Sequence, residues 1–157
     1  MVIVKVKRDT YGGERYLLNA CRYLENAERN IDCDGYGVDP YQLEYTVHQM
    51  MQVKAYFGKT SGNPLMHFVV SFDQSVRDTQ RACILSRQIA AYFHSQYQVL
   101  WCVHEKHRQS SFYHCHIVIN SVSYINGMMY HSSATNVQAF CDYVSALTQR
   151  PCRFVFE

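Results

Sequence analysis

The chain has 157 residues, of which 48% are hydrophobic and 18% charged, and its formal net charge is +2. This length suits one domain with a sizeable core, and the composition excludes a disordered chain and a polycation that binds nucleic acid through global charge. The seven cysteines include no CxxC pair, no signal peptide precedes Met1 and no apolar run could span a bilayer, so we expect free thiols in a cytoplasmic protein.

Hydrophobic periodicity predicts the following elements in chain order: a strand at 2–7, a helix at 15–29, a turn-rich loop at 30–39, a helix from Pro40 to Gly58, a strand at 65–72, a helix at 76–94, strands at 97–105 and 112–122, a helix with an apolar stripe from Val137 to Leu147, and a short strand after Pro151. This order predicts an α+β fold. We expect a mainly antiparallel sheet of about five strands with helices packed on it, in one domain over residues 1–157.

Two histidines stand two residues apart at the start of the last long strand, in the stretch YHCHIVIN (113–120). Because strand side chains alternate in direction, His114 and His116 share one face, ~7 Å apart. The polar loop before this strand predicts an antiparallel hairpin that sets His104 directly opposite His114. Three neutral imidazoles on one face predict a divalent-metal site, to which Zn, Mn, Fe, Co or Ni is better suited than Mg. The other histidines lack this spacing, and we expect structural or surface roles for them.

Further polar groups lie near the three histidines. Asn120 shares the face of His114 and His116. Two roles are open for it: its amide anchors a phosphate or a histidine, or Asn120 is a hydrogen-bonded residue of the core. Ser71 and Asp73, at the end of the strand at 65–72, are candidates to accept hydrogen bonds from the ring N–H groups of the metal-binding histidines. Glu105 should point to the opposite face unless a bulge turns it.

The first predicted helix has a basic face opposite its apolar stripe. Arg15, Arg22 and Arg29 lie on that face with no acidic residue among them, and Tyr16 and Tyr23 lie at its boundary. Solvated arginines and tyrosines at a core edge are the plainer interpretation. A phenol that lies beside a metal site, among arginines that bind phosphate groups, indicates an enzyme whose tyrosine attacks a phosphodiester.

Three motifs in chain order resemble those of conjugative and mobilisation relaxases, the HUH single-strand endonucleases. ACRYLENAER resembles the first motif of the P class, with Tyr23 as its tyrosine. HFVVSFD (67–73) resembles the second, where Ser71 matches a serine that contacts DNA near the nick. The histidine hairpin resembles the third, and Asn120 completes its HxHxxxN pattern.

The resemblance implies the HUH relaxase fold with a ferredoxin-like core, and metal-dependent nicking of one strand at the transfer origin of a plasmid or integrative element. Tyrosine attack leaves the enzyme joined to the 5′ phosphate and frees a 3′-OH, typically with Mg or Mn as the ion. Single-stranded DNA at the origin and accessory relaxosome proteins are the implied partners. The implied roles are catalysis by Tyr23, Ser71 and Asn120, metal binding by His104, His114 and His116, and DNA binding by Arg15, Arg22 and Arg29.

Several alternatives stay open beside the relaxase interpretation. Tyr16 is a rival nucleophile, Glu105 stands one position before the usual acid of the family, and the chain is either a minimal relaxase or an isolated catalytic domain. A rolling-circle initiator or single-strand transposase usually places its tyrosine after the histidines, as Tyr143 would be. A non-catalytic module that stacks bases on tyrosines is another alternative. The predicted helices argue against an all-β cupin oxygenase.

Overall fold

The computed structural model describes residues 1–8, 13–25, 30–105 and 113–157, and within these ranges the chain forms six strands and four helices. The strands are β1 (Val2–Lys7), β2 (Asn30–Tyr36), β3 (Leu65–Ser71), β4 (Val99–Glu105), β5 (Tyr113–Asn120) and β6 (Cys152–Phe156). The helices are α1 (Glu14–Leu24), α2 (Leu43–Tyr56), α3 (Thr79–Ala90) and α4 (Ala134–Thr148). No helix in these ranges is both long enough and apolar enough to cross a bilayer.

The strands form one open sheet in the order β2-β4-β5-β3-β1-β6. Every pairing is antiparallel except that of β1 with β6, which is parallel. The central strands β4, β5 and β3 are almost wholly buried, because helices cover both faces of the sheet. The predicted α+β class and mainly antiparallel sheet are confirmed, with one strand more than expected.

One face of the sheet is covered by α3 and α4. Phe68, Phe93 and Phe140 pack together there with ring centroids 4.8 to 5.3 Å apart, and each is at most 2% exposed. Aromatic residues bury more area than any others, so this cluster forms the centre of the larger core. The side chains of Asp78 and Ser133 accept hydrogen bonds from the first turns of α3 and α4, which fixes where these helices begin.

The opposite face is covered by α1 and α2, and this face carries the histidines. The apolar stripe of α1 that the sequence predicts centres on Leu17, Cys21 and Leu24, and these three residues are buried against the sheet together with Ala20. On the same face, Lys5 and Lys7 of β1 lie opposite Val69 and His67 of β3 and stay half-exposed. The helices therefore cover the central strands of this face and leave β1 accessible.

Strand β2 corrects the prediction of a turn-rich loop over 30–39. It pairs with β4 at the edge of the sheet, with an irregular register between Asn30 and Asp32. Asp and Gly are poor strand formers and an edge strand need not be apolar, so local propensity gave no signal. Pairing with β4 determines this strand.

The same pairing corrects the expectation for the cysteines. Cys33 of β2 lies directly opposite Cys102 of β4, and the two form a disulfide, while the five other cysteines are free. A helix start is also corrected: α2 begins at Leu43 rather than at Pro40. The carbonyl of Asp39 accepts from the Thr46 hydroxyl and its carboxylate from the Tyr41 N–H, so the segment before α2 is a separate turn.

Candidate active site

The predicted hairpin brings the three histidines to one face of the sheet. In the β4–β5 register His104 lies opposite His114, as the sequence predicts, and Cys102 lies opposite His116. Directly opposed residues of an antiparallel pair point to the same face, and so do residues two apart along a strand. His104, His114 and His116 therefore share the face that α1 covers.

His116 is the centre of this group. Its ring centroid lies 4.4 Å from that of His104 and 6.1 Å from that of His114. His104 and His116 are each 5% exposed, whereas His114 is only half-buried. In the ranges that the structure describes, no three His, Cys, Asp or Glu side chains stand close enough to hold a metal ion as they are. The three imidazoles suit a divalent ion because their nitrogens are good metal donors and because they lie on the same face of the sheet. Binding would require the rings to move closer together.

His104 is anchored to the last turn of α1. Its Nε2 lies 2.8 Å from the carbonyl oxygen of Leu24. A carbonyl only accepts, so Nε2 carries the hydrogen, and in a neutral ring Nδ1 then holds the lone pair. Metal-binding histidines usually donate their other N–H to such a carbonyl. Because Leu24 follows Tyr23, this bond also connects the candidate metal ligand to the candidate nucleophile.

His116 is uncharged at neutral pH. Burial is the largest cause, and electrostatic interactions with His104, His67, His114 and Lys7 act in the same direction, so that together they lower the pKa of the His116 imidazole to about 2. A neutral ring keeps the lone pair that a metal ion needs, so this environment suits a ligand.

The sequence analysis missed a fourth histidine of the cluster, His67 on β3. Strand β3 pairs with β5 so that His67 lies opposite Val118, on the same face as His116. The Nε2 of His67 lies 3.4 Å from the Nδ1 of His116, and His67 is 8% exposed. The sequence shows that His67, Val69 and Ser71 lie on one face of their strand. It does not show that this strand pairs with β5, which carries His116.

Tyr23 lies beside these histidines and is open to solvent. Its ring centroid is 5.6 Å from that of His116 and 6.1 Å from that of His67, and the residue is 53% exposed. Tyr16 lies seven residues earlier on α1, ~10 Å along the helix axis, where it packs partly buried against the apolar cluster under α1 and α2. Of the two tyrosines, Tyr23 has its ring at the cluster.

A groove runs beside His114 at the end of β3. It has a volume of about 620 Å³, and its lining includes Ser71, His114, Lys5 and Arg150. Ser71 lies directly opposite His114 in the β3–β5 pairing. The groove lies on the part of the sheet face that α1 and α2 leave accessible, so it offers an extended ligand a path to the histidines.

Asp73, a predicted support for the histidines, connects the segment after β3 to other elements. Its carboxylate accepts hydrogen bonds from the amino group of Met1, from Ser75 and from Arg150. Desolvation alone would raise the pKa of Asp73, but these hydrogen bonds outweigh it and hold the pKa well below the ordinary value. The carboxylate therefore stays ionised at the side of the groove.

Asn120 lies away from the cluster, in the interior. It is fully buried, and its side chain bonds with Lys54, Gln98, the carbonyl of Met50 and the N–H of Val122. Four residues of extended strand, ~13 Å, separate it from His116. These contacts favour the core interpretation of Asn120 over contact with DNA.

The remaining predicted residues lie at the periphery. Glu105 is exposed and follows His104 without a bulge, so it points to the opposite face as expected. Arg15 and Arg22 are exposed on α1. Arg29 lies outside the described residues.

A comparison with known protein families complements this geometry. A family model described as "Relaxase: MobA/VirD2-like, nuclease domain" matches residues 16–150. The matched range includes Tyr23, the end of β3 and the whole histidine cluster. A comparison with curated proteins finds no match.

Proposed function

The chain belongs to the family of MobA/VirD2-like relaxase nuclease domains, and from that premise we propose that it nicks DNA by attack of Tyr23 on a phosphodiester. Relaxases of this family nick DNA, bind single-stranded DNA and generally use a divalent metal. The observation that carries the proposal is the ring of Tyr23, half-exposed and 5.6 Å from that of His116.

In the proposed reaction the phenol oxygen of Tyr23 attacks the scissile phosphorus. A bond forms between Tyr23 Oη and phosphorus while the bond from phosphorus to the 3′ oxygen breaks. The phenol proton is lost, and the departing 3′ oxygen takes up a proton to become the free 3′-OH. The enzyme remains joined to the 5′ phosphate as a phosphotyrosine, which conserves the energy of the phosphodiester for rejoining.

We assign His104, His114 and His116 as the residues that would hold the divalent ion. When bound, such an ion would act as a Lewis acid that stabilises the negative charge developing on the scissile phosphate. The lone pair left on Nδ1 of His104 and the uncharged state of His116 support this assignment. Mg or Mn is the expected ion in function, and Zn, Ni or Co would also suit three imidazoles.

The DNA strand is proposed to follow the accessible part of the histidine face. Arg15 and Arg22 are exposed on α1 at one side of the cluster, and the groove beside Ser71 and His114 continues it on the other side. Lys5 is paired with Glu157 at 2.8 Å, so the groove is only weakly cationic. We therefore expect the affinity for single-stranded DNA to depend only modestly on salt concentration, because few cationic side chains contact the strand. We further propose that the DNA is a transfer origin and that accessory proteins take part in binding it.

The geometry disfavours the alternative in which a tyrosine after the histidines is the nucleophile. Tyr143 lies on α4, whose apolar residues belong to the core on the opposite face of the sheet. Its hydroxyl donates to the carbonyl of Gln88 on α3. The phenol of Tyr143 is thus separated from the histidines by the sheet.

The test is formation of a covalent protein–DNA adduct. Wild-type protein is incubated with Mn²⁺ and a single-stranded oligonucleotide from its transfer origin, and the adduct is detected as a species that resists SDS. Tyr23→Phe should form no adduct yet still bind the oligonucleotide, because it lacks only the attacking oxygen. Tyr16→Phe and Tyr143→Phe are matched controls that should form adduct at the wild-type level. Loss of adduct in a control, together with normal adduct from Tyr23→Phe, would refute the assignment.

A further inference from the structure

His67 and His116 face each other inside the histidine cluster, on the neighbouring strands β3 and β5. Both are buried, and Nε2 of His67 lies 3.4 Å from Nδ1 of His116. Two ring nitrogens in this position form a hydrogen bond only if one carries the hydrogen and the other the lone pair. The contact therefore determines which nitrogen of His116 is left for another partner.

We propose that His67 is a positioning residue that holds His116 in the tautomer able to bind the divalent ion, an inference that rests on the proposed function. If His116 donates from Nδ1, its Nε2 keeps the lone pair and can ligate. If His67 donates instead, Nε2 of His116 carries the hydrogen and cannot ligate. Acceptance by His67 is the arrangement that makes His116 a ligand.

A hydrogen bond also orients His104, the other buried histidine among the three candidate ligands. His104 donates from Nε2 to the carbonyl of Leu24, so a hydrogen bond from α1 orients it. His67 on β3 supplies the equivalent partner for His116. His104 and His116 are thus oriented by different elements, α1 and β3, and in a neutral state each ring keeps one lone pair.

His67 also borders the proposed nucleophile. Its ring centroid lies 6.1 Å from that of Tyr23, while Tyr23 and His116 are 5.6 Å apart. The three rings form one packed group, so His67 orients the ligand and limits the positions open to the phenol. Its loss should lower kcat with little effect on the KM for single-stranded DNA.

The first test is spectroscopic and needs no variant. Long-range ¹H–¹⁵N correlation spectra of the metal-free protein report which ring nitrogen of His116 is protonated. We expect the hydrogen on Nδ1 and a bare Nε2. A spectrum with the hydrogen on Nε2 would overturn the inference.

The second test compares two substitutions by calorimetric titration with Mn²⁺. His67→Leu removes the acceptor, and we expect the Mn²⁺ affinity to fall by ~10–100-fold, as is typical when a partner of a metal ligand is lost. His67→Gln places an amide oxygen near the former Nε2 and should restore most of that affinity. His131→Gln, at an exposed position between β5 and α4, is the control that should bind Mn²⁺ like the wild type.

The outcomes separate this inference from the proposed function. If His116→Ala loses Mn²⁺ binding while His67→Leu keeps wild-type affinity, the function stands and the role of His67 is refuted. If His116→Ala also binds Mn²⁺ normally, the metal assignment fails, and the inference fails with it. If His67→Leu loses Mn²⁺ binding as completely as His116→Ala does, and His67→Gln does not restore it, then His67 is a ligand rather than a positioning residue. Thermal melting checks folding, and the spectrum of the wild type decides if both variants unfold.

Discussion

Replacing Asn120 with alanine should destabilise the protein while leaving its chemistry intact. The Oδ1 atom of Asn120 accepts from the Lys54 ammonium and the Val122 N–H, and Nδ2 donates to Gln98 and to the carbonyl of Met50. Asn120 is fully buried and Lys54 is 3% exposed, so water cannot readily replace the lost partners. One side chain thus connects β5 to α2 and to the segment before β4.

The magnitude follows from these contacts. The hydrogen bond from the ammonium is worth ~1.5–3 kcal/mol and the neutral ones ~1 kcal/mol each. Lys54 keeps the carbonyl of Pro64 at 2.7 Å, which limits the loss. We expect the free energy of unfolding to fall by ~3–4 kcal/mol, which corresponds to a drop in Tm of ~10 °C for a chain of this length.

The assay pairs thermal denaturation by circular dichroism with adduct formation well below the melting midpoint. Asn126→Ala is the matched control, since it also removes an amide that accepts from a backbone N–H, that of Met128, but on an exposed turn. The control should lose less than ~1 kcal/mol. An Asn120→Ala variant that melts like the wild type but forms no adduct would refute the reasoning and return Asn120 to the active site.

Three further predictions concern stability and DNA binding. Burial lowers the pKa of Lys54 from 10.5 to about 8. Between pH 8 and 10.5 the unfolded chain therefore binds more protons than the folded protein, so the free energy of unfolding should rise by up to ~3 kcal/mol as the pH increases through this range. Lys54→Met should abolish that rise, which urea titrations at several pH values would measure. Reducing the Cys33–Cys102 disulfide, with its sequence separation of 69, should lower the free energy of unfolding by ~4 kcal/mol, whereas Cys33→Ala should not respond to reductant. Arg22→Ala should weaken single-stranded DNA binding and reduce the slope of log K against log salt by ~0.7, and an unchanged slope would exclude a phosphate contact.

Local patterns in the sequence predicted the parts of the site that depend on neighbours along the chain. The period of two along a strand put His114 and His116 on one face, and the short polar loop set His104 opposite His114. The spacing of Leu17, Cys21 and Leu24 predicted the buried side of α1 and hence the side on which Tyr23 emerges. The α+β class followed from the order of such elements.

The tertiary structure alone decided which elements that are distant in sequence lie next to each other. His67 is 49 residues from His116 in sequence, and nothing local to either strand shows that β3 pairs with β5. Likewise the disulfide to Cys102 depends on an edge strand, β2, with little strand propensity of its own. The same holds for the hydrogen bond from His104 to Leu24, which requires α1 to dock on β4. Periodicity determines which way a side chain points, whereas the partner it meets depends on the joint burial of all the apolar faces.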